Sequence, residues 1–235
     1  MIVVAIETST PQTSVAIASE AGLLGSVSVA GKARQEAVTP ALEQLLSWSD
    51  LDLDQVNGIA VGTGPGLFTG LRVGVETAKT LAQVLDVPIL GISSLDGLAF
   101  GVRHSRKRIL AVIDGRRGEV FWSAYRSVPG GVTRESEPVV SKPDVLVAEL
   151  TVGTRDVLAV GNGAILYRDA FQQIGPHVEF ASAMVAHPDA ASLAELALPR
   201  LLRGEHDRLT DVVPVYLRKS DAEITWDQRA RNAAS

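Results

Sequence analysis

Cysteine is absent from the 235 residues. Disulfides and thiolate-bound metals are therefore excluded, which suits a reducing compartment. Basic residues are not in excess: 22 Lys and Arg stand against 27 Asp and Glu, a formal net charge of -5. Such a chain does not hold nucleic acid by bulk charge. No uninterrupted apolar run approaches the roughly 18 residues of a membrane span. Met1-Ile2-Val3-Val4-Ala5-Ile6 has no basic lead and meets Glu7 too early to read as a signal peptide. The expectation is a cytoplasmic protein with no membrane partner. His104, His177, His187 and His206 include no H-E-x-x-H and no pair at i and i+4, so a helical zinc pair is missing. Gly66-Leu67-Phe68-Thr69-Gly70 comes nearest to G-x-S-x-G, with phenylalanine where the serine nucleophile would stand.

What is present is an ordinary globular composition, 46% hydrophobic and 21% charged, with room for one large domain or two lobes. Ile2 to Ile6 is a run of mostly β-branched residues ending at Glu7. Thr13 to Ala18 and Gly22 to Val29 continue it as an antiparallel meander. From Gln35 to Ser47 the period changes: Val38, Ala41, Leu42, Leu45 and Leu46 recur at helical spacing. Gly58 to Val61 reads as a buried strand and Thr69 to Leu85 as a second helix, with Gly70, Gly74, Ala78 and Ala82 at steps of four. Such a groove admits close packing, against its own sheet or against another chain. Pro88 to Ile92 predicts a strand, and Ser93 or Ser94 can cap a helix reaching about Val102. Arg103 to Arg108 is a basic connector, with an RNA or phosphate contact as its functional alternative.

Between that strand and second helix lies Gly62-Thr63-Gly64-Pro65-Gly66-Leu67, a glycine-rich turn that can present backbone N–H groups to an anion or simply pack tightly. It matches neither G-x-G-x-x-G nor G-x-x-x-x-G-K-[ST]. The opening logic then repeats. Ile109 to Asp114, the turn Gly115-Arg116-Arg117-Gly118 and the strand Glu119 to Tyr125 echo strand, acid, turn, strand. Val157 to Ala164 echoes Gly58 to Pro65. Two similar pairs at nearly one offset predict an α/β fold built from a duplicated βα lobe. The lobes are expected over 1–105, completed by a C-terminal helix at about 188–205, and over 106–187. Within the second, Val128 to Gly131 reads as a hairpin turn, Lys142-Pro143-Asp144 starts a helix through Leu150, and Ala164 to Gln173 reads as another. Pro199 breaks or kinks the last helix, Val212 to Arg218 is extended, and 228–235 reads as a disordered tail. A site between the lobes would draw its phosphate or nucleotide contacts from Glu7, Thr8, Gly64, Gly66, Asp114 and Arg116.

Glu7-Thr8-Ser9-Thr10, Gly64-Pro65-Gly66 with Phe68-Thr69-Gly70-Leu71-Arg72, Ile113-Asp114 with Gly118-Glu119-Val120, and Pro214-Val215-Tyr216-Leu217-Arg218 together resemble the bacterial TsaB, or YeaZ, family of tRNA threonylcarbamoyladenosine biosynthesis proteins. The likeness runs in order along nearly the whole chain. It implies a two-lobed fold of the actin, hexokinase and Hsp70 type (ASKHA). It also implies a non-catalytic scaffold that binds and activates the related subunit TsaD, which transfers threonylcarbamoyl to the adenosine beside the tRNA anticodon. The ATPase TsaE would join the assembly, a homodimer would form when TsaD is absent, and tRNA would be met through the complex. No cofactor of its own is implied; ATP or ADP would bind only with TsaD. The metal-binding histidine pair of TsaD-like chains falls here on Ser94 and Leu98, so no metal is expected. Leu67 and Arg34 replace the serine and histidine common in the family. By resemblance the partner interface is the first two helices, through Val38, Leu42, Leu45, Leu46, Gly70, Leu71, Gly74 and Val75, and Leu42→Asp or Leu45→Asp would break association while sparing the fold. An independent kinase of the same fold class is the alternative, and a glycoprotease is less well supported.

Overall fold

Strands form where the β-branched runs stand, and the computed structural model, describing residues 1–31, 34–151 and 156–218, gathers them into two sheets. In the first, β1 (Ile2–Glu7), β2 (Gln12–Ser19) and β3 (Gly22–Ala30) make the antiparallel meander, and β4 (Gly58–Gly64) and β5 (Ile89–Ser93) join β1 in parallel. The order is β3-β2-β1-β4-β5. The second repeats it with β6 (Arg108–Arg116), β7 (Glu119–Val128), β8 (Gly131–Arg134), β10 (Val157–Val160) and β11 (Val178–Phe180) in the order β8-β7-β6-β10-β11; β9 (Val139–Ser141) adds to the free stretch of β7. Each parallel strand equivalent keeps its pairing sense, β1 with β4 and β6 with β10. The duplicated, two-lobed α/β class is thus the one observed.

Alternation along the central strands sends successive side chains to opposite faces. Val4 and Ile6 of β1 join the core beneath α1 (Val38–Trp48) and α2 (Phe68–Leu85), while Val3 and Ala5 face α7 (Ala190–Leu202). In β6, Leu110 and Val112 meet α4 (Pro143–Thr151), α5 (Asn162–Leu166) and α6 (Arg168–Gln172). Ile109, Ala111 and Ile113 meet α3 (Ser94–Phe100). Helices α3 and α7 therefore lie between the sheets and touch where Gly97 leaves room for Leu193.

Differences from the sequence reading have local causes. The first helix opens with a 3-10 turn at Arg34–Ala37 before becoming α-helical. The helix expected over 164–173 divides at Tyr167 into α5 and α6. α7 runs on through Pro199, because both Pro199 and Glu195, whose carbonyl loses its donor, are on the exposed side. Three cations of the basic connector pair within the chain: Arg103 with Glu195 at 2.9 Å, Lys107 with Glu179 at 2.7 Å and Arg108 with Glu135 at 2.8 Å; Arg106 is exposed. The expected tail at 228–235 lies outside the described residues.

Candidate functional site

The acid that ends β1 is wholly buried. Glu7 Oε1 accepts the Ser9 backbone N–H at 2.6 Å, and Oε2 accepts the Ser94 hydroxyl at 2.8 Å. Ser94 Oγ in turn accepts the Gly64 N–H at 3.2 Å, so one carboxylate ties β1, the glycine turn and α3 together. Burial pushes the Glu7 pKa above its ordinary value; the hydrogen bonds from Ser9 and Ser94 work against that rise. Thr8 and Ser9 then enter the concave side of the glycine turn. Ser9 O accepts the Leu67 N–H at 2.7 Å, and the Thr8 hydroxyl donates to Gly70 O at 2.7 Å. A Cβ on Gly66 would collide with Ser9 O, and one on Gly70 with Thr8 O. The turn's close-approach capacity is therefore used by the chain's own backbone.

Four of the expected ligand contacts, Glu7, Thr8, Gly64 and Gly66, are gathered in this knot, the first three in internal hydrogen bonds and Gly66 in close packing against Ser9. The other two, Asp114 and Arg116, stand at the equivalent turn of the second lobe. Asp114 is 5% exposed; its Oδ1 accepts the Arg116 N–H at 2.9 Å, and Arg116 Nη1 lies 3.5 Å from Oδ2. Asn162 Oδ1 accepts the Asp114 N–H at 3.1 Å from the second glycine turn. Arg116 and Arg117 both have left-handed backbone (φ 63° and 56°) and exposed side chains. Tyr167 borders the pair: partial burial, then the Asp114 charge, push its phenol upward, with Arg116 opposing. The exposed guanidinium of Arg116 is suited to an anionic group, whereas the first-lobe acid offers no open oxygen. At the edge of the first knot, His187 Nδ1 lies 3.0 Å from Thr10 Oγ1, and burial lowers the imidazole pKa.

Among the described residues no three His, Cys, Asp or Glu side chains form a metal-sized group. The two positions expected from the resemblance to match the TsaD-type histidines are Ser94, engaged with Glu7, and Leu98, which packs in the core between α3 and β6.

The expected interface residues need correction. Val38, Leu42, Leu45 and Leu46 on α1, and Gly70, Leu71, Gly74 and Val75 on α2, are all buried within this chain. They are the inward stripe of each helix: the α1 residues and Val75 pack on the first sheet, while Gly70 and Gly74 lie against Thr8. Helical periodicity identifies a buried stripe without saying what buries it. The outward faces carry Thr39, Glu43, Gln44, Ser47 and Trp48 on α1, and Arg72, Glu76, Thr80, Gln83 and Val84 on α2. Trp48 is 70% exposed and Val84 75%.

A family model described as "TsaD: tRNA N6-adenosine threonylcarbamoyltransferase" matches residues 22–226. The chain is 32% identical over 232 residues to the tRNA threonylcarbamoyladenosine biosynthesis protein TsaB of Bacillus subtilis, covering 96% of this chain and 98% of that one. To the protein of the same name from Escherichia coli it is 28% identical over 229 residues, covering 96% and 97%. Among solved structures, YeaZ from Pseudomonas aeruginosa matches with a TM-score of 0.80 at 30% identity, over 92% of this chain and 99% of that one.

Proposed function

Since this chain belongs to the TsaB, or YeaZ, family of tRNA threonylcarbamoyladenosine biosynthesis proteins, we propose that it serves that biosynthesis as a non-catalytic docking subunit. Its partner is the threonylcarbamoyltransferase TsaD, which it binds and activates. TsaE joins the same assembly, tRNA is met through the complex in the cytoplasm, and the free chain pairs with a second copy.

The observation that carries this reading is the first-lobe knot. A kinase of this architecture needs a carboxylate and a phosphate cradle open to the cleft. Here Glu7 is sealed between Ser9 and Ser94, and Thr8 and Ser9 fill the cradle. That leaves the second-lobe turn at Asp114 and Arg116 as half a site, which ATP or ADP would use only when TsaD supplies the rest. The docking face is the outward side of α1 and α2, with Trp48 and Val84 as its exposed apolar groups and Arg72, Glu43 and Glu76 as its charges.

The test is reconstitution of threonylcarbamoyl transfer from TsaD, TsaE, an adenylate-forming enzyme, tRNA, threonine, bicarbonate and ATP, with and without this chain. Transfer should need it. Full transfer without it would end the docking reading, and tight binding of Mg-ATP by the chain alone in calorimetry would favour the kinase.

A further inference from the structure

Beyond α7 the chain does not stop at the first lobe. Asp207 forms an antiparallel bridge to Ile89 at the edge of β5, its N–H donating to Ile89 O at 2.9 Å and its Oδ2 accepting the Gly91 N–H at 2.8 Å. Val212, 2% exposed, is embedded in the first-lobe core. From there the chain crosses to the second lobe. The Val215 N–H donates to Thr63 O at 2.8 Å, at the end of β4. Tyr216 stacks on Phe68 with ring centroids 4.9 Å apart, and its hydroxyl accepts Arg72 Nε at 3.2 Å. The Arg72 guanidinium lies 4.1 Å over the same Phe68 ring. Leu217 packs against the core of α3 and β6, and Arg218 Nη1 reaches Glu119 Oε2 at 2.7 Å, beside the Asp114 turn.

We propose that Val212–Arg218 is a latch, hinged at Val212 and clasped at Tyr216 to Arg218, which makes the glycine turn with the start of α2 and the Arg116–Glu119 turn of the other lobe open and close as one unit. The asymmetry of its anchoring points that way. The Asp207 and Val212 end is paired and buried, whereas Val213, Val215 and Tyr216 are 51%, 41% and 43% exposed. The clasps include one backbone bond, a surface stack with the Tyr216–Arg72 hydrogen bond beside it, one partly buried leucine, and the partly buried Arg218 contacts to Glu119 and the Arg116 carbonyl, each individually modest and so reversible. Released, the segment would uncover Thr63 O and Phe68 on one lobe and free Glu119 on the other. The latch is built wholly within this chain and does not depend on which partner the chain meets.

Hydrogen–deuterium exchange on the full chain tests it, using Tyr216→Ala at one clasp, Glu119→Gln at the other, and the double variant. If the latch acts as a unit, either single change raises exchange about fivefold or more at both 63–68 and 115–119. The double variant then adds little to either single one. Amides of β1 and β2 should not move, and they report any general loss of folding. Should Tyr216→Ala fail that control, Tyr216→Phe, which keeps the stack and loses only the Arg72 bond, carries the comparison. If each variant loosens only its own side and the effects add, or if neither side responds, the latch is refuted.

Discussion

Whether α1 turns Leu45 or Trp48 toward a partner can be decided by two substitutions. Leu45 is 2% exposed, belongs to the core under the first sheet, and its Cδ2 would stand 2.8 Å from a Cβ on Gly25. Leu45→Ala leaves a void in that core and should cost about 2–5 kcal/mol. In a chain of this size each kcal/mol moves the unfolding midpoint by about 2–4 °C. The midpoint should therefore fall by about 4–20 °C, read by thermal unfolding at one pH and salt concentration. Trp48, at 70% exposure, has little folding contact to lose. Trp48→Ala should stay within about 0.5 kcal/mol of the parent in stability. If the outward face docks TsaD, a central tryptophan there should cost about tenfold or more in affinity, measured by calorimetric titration with TsaD. The reverse pattern would overturn this orientation: Leu45→Ala holding its midpoint while losing TsaD, with Trp48→Ala unchanged in both. It would also restore the expectation that the apolar stripe is the interface.

Three more outcomes bear on the first-lobe knot. Gly70→Ala drives a methyl into the Thr8 carbonyl, a backbone atom without room to yield, and should destabilise by about 1–3 kcal/mol in denaturant unfolding. Ser94→Ala strips Glu7 Oε2 of its donor and the Gly64 N–H of its acceptor, costing about 1–3 kcal/mol by the same measurement. Glu7→Gln should reveal the buried carboxyl through pH. Because burial raises the folded pKa above the ordinary value of 4.5, the folded state holds its proton more tightly than the unfolded state. The contribution to stability is present below the unfolded pKa and lost as pH rises through the folded one. The variant's unfolding midpoint minus the parent's should therefore grow as pH rises from 4.5; a shrinking difference would mean that the hydrogen bonds outweigh burial.

The opening meander and the duplication were legible because their signals are local. The β-branched runs ending at Glu7 and Asp114, each followed by a turn and then a glycine-bounded strand, fix β1, β2 and β4 and their equivalents β6, β7 and β10. Short edge strands such as β9 and β11, three residues each, carry no such pattern and are set by the neighbour they pair with. Periodicity located both helices but gave the stripe that their own sheet consumes, since apolar spacing is the same whether the cover is intramolecular or not. Glu7 was recognisable as special but not its state. Only the fold brings Ser94, 87 positions away, onto the carboxylate. Tyr216 and Arg72, 144 positions apart, likewise meet only through the crossing of the C-terminal segment.

The two glycine turns show how one duplicated device yields two different surfaces. In both lobes the turn after the strand parallel to the first, β4 or β10, closes on the end of that first strand: Gly62 leaves room for the Glu7 carboxylate, and Gly161 for the Val112 carbonyl. The residues next to each acid differ. After Glu7 come Thr8 and Ser9, short side chains whose backbone can sink into the cradle and bond to Gly70 and Leu67. After Asp114 come Gly115 and two arginines in left-handed conformation, whose long charged side chains have to stay in solvent. Small residues close the first lobe, and arginines keep the second open. The first acid turn is thus buried in bonds that tie β1, the glycine turn and α3 together, and the second carries exposed arginines. On the docking reading proposed above, it is this second turn that a partner would complete from outside.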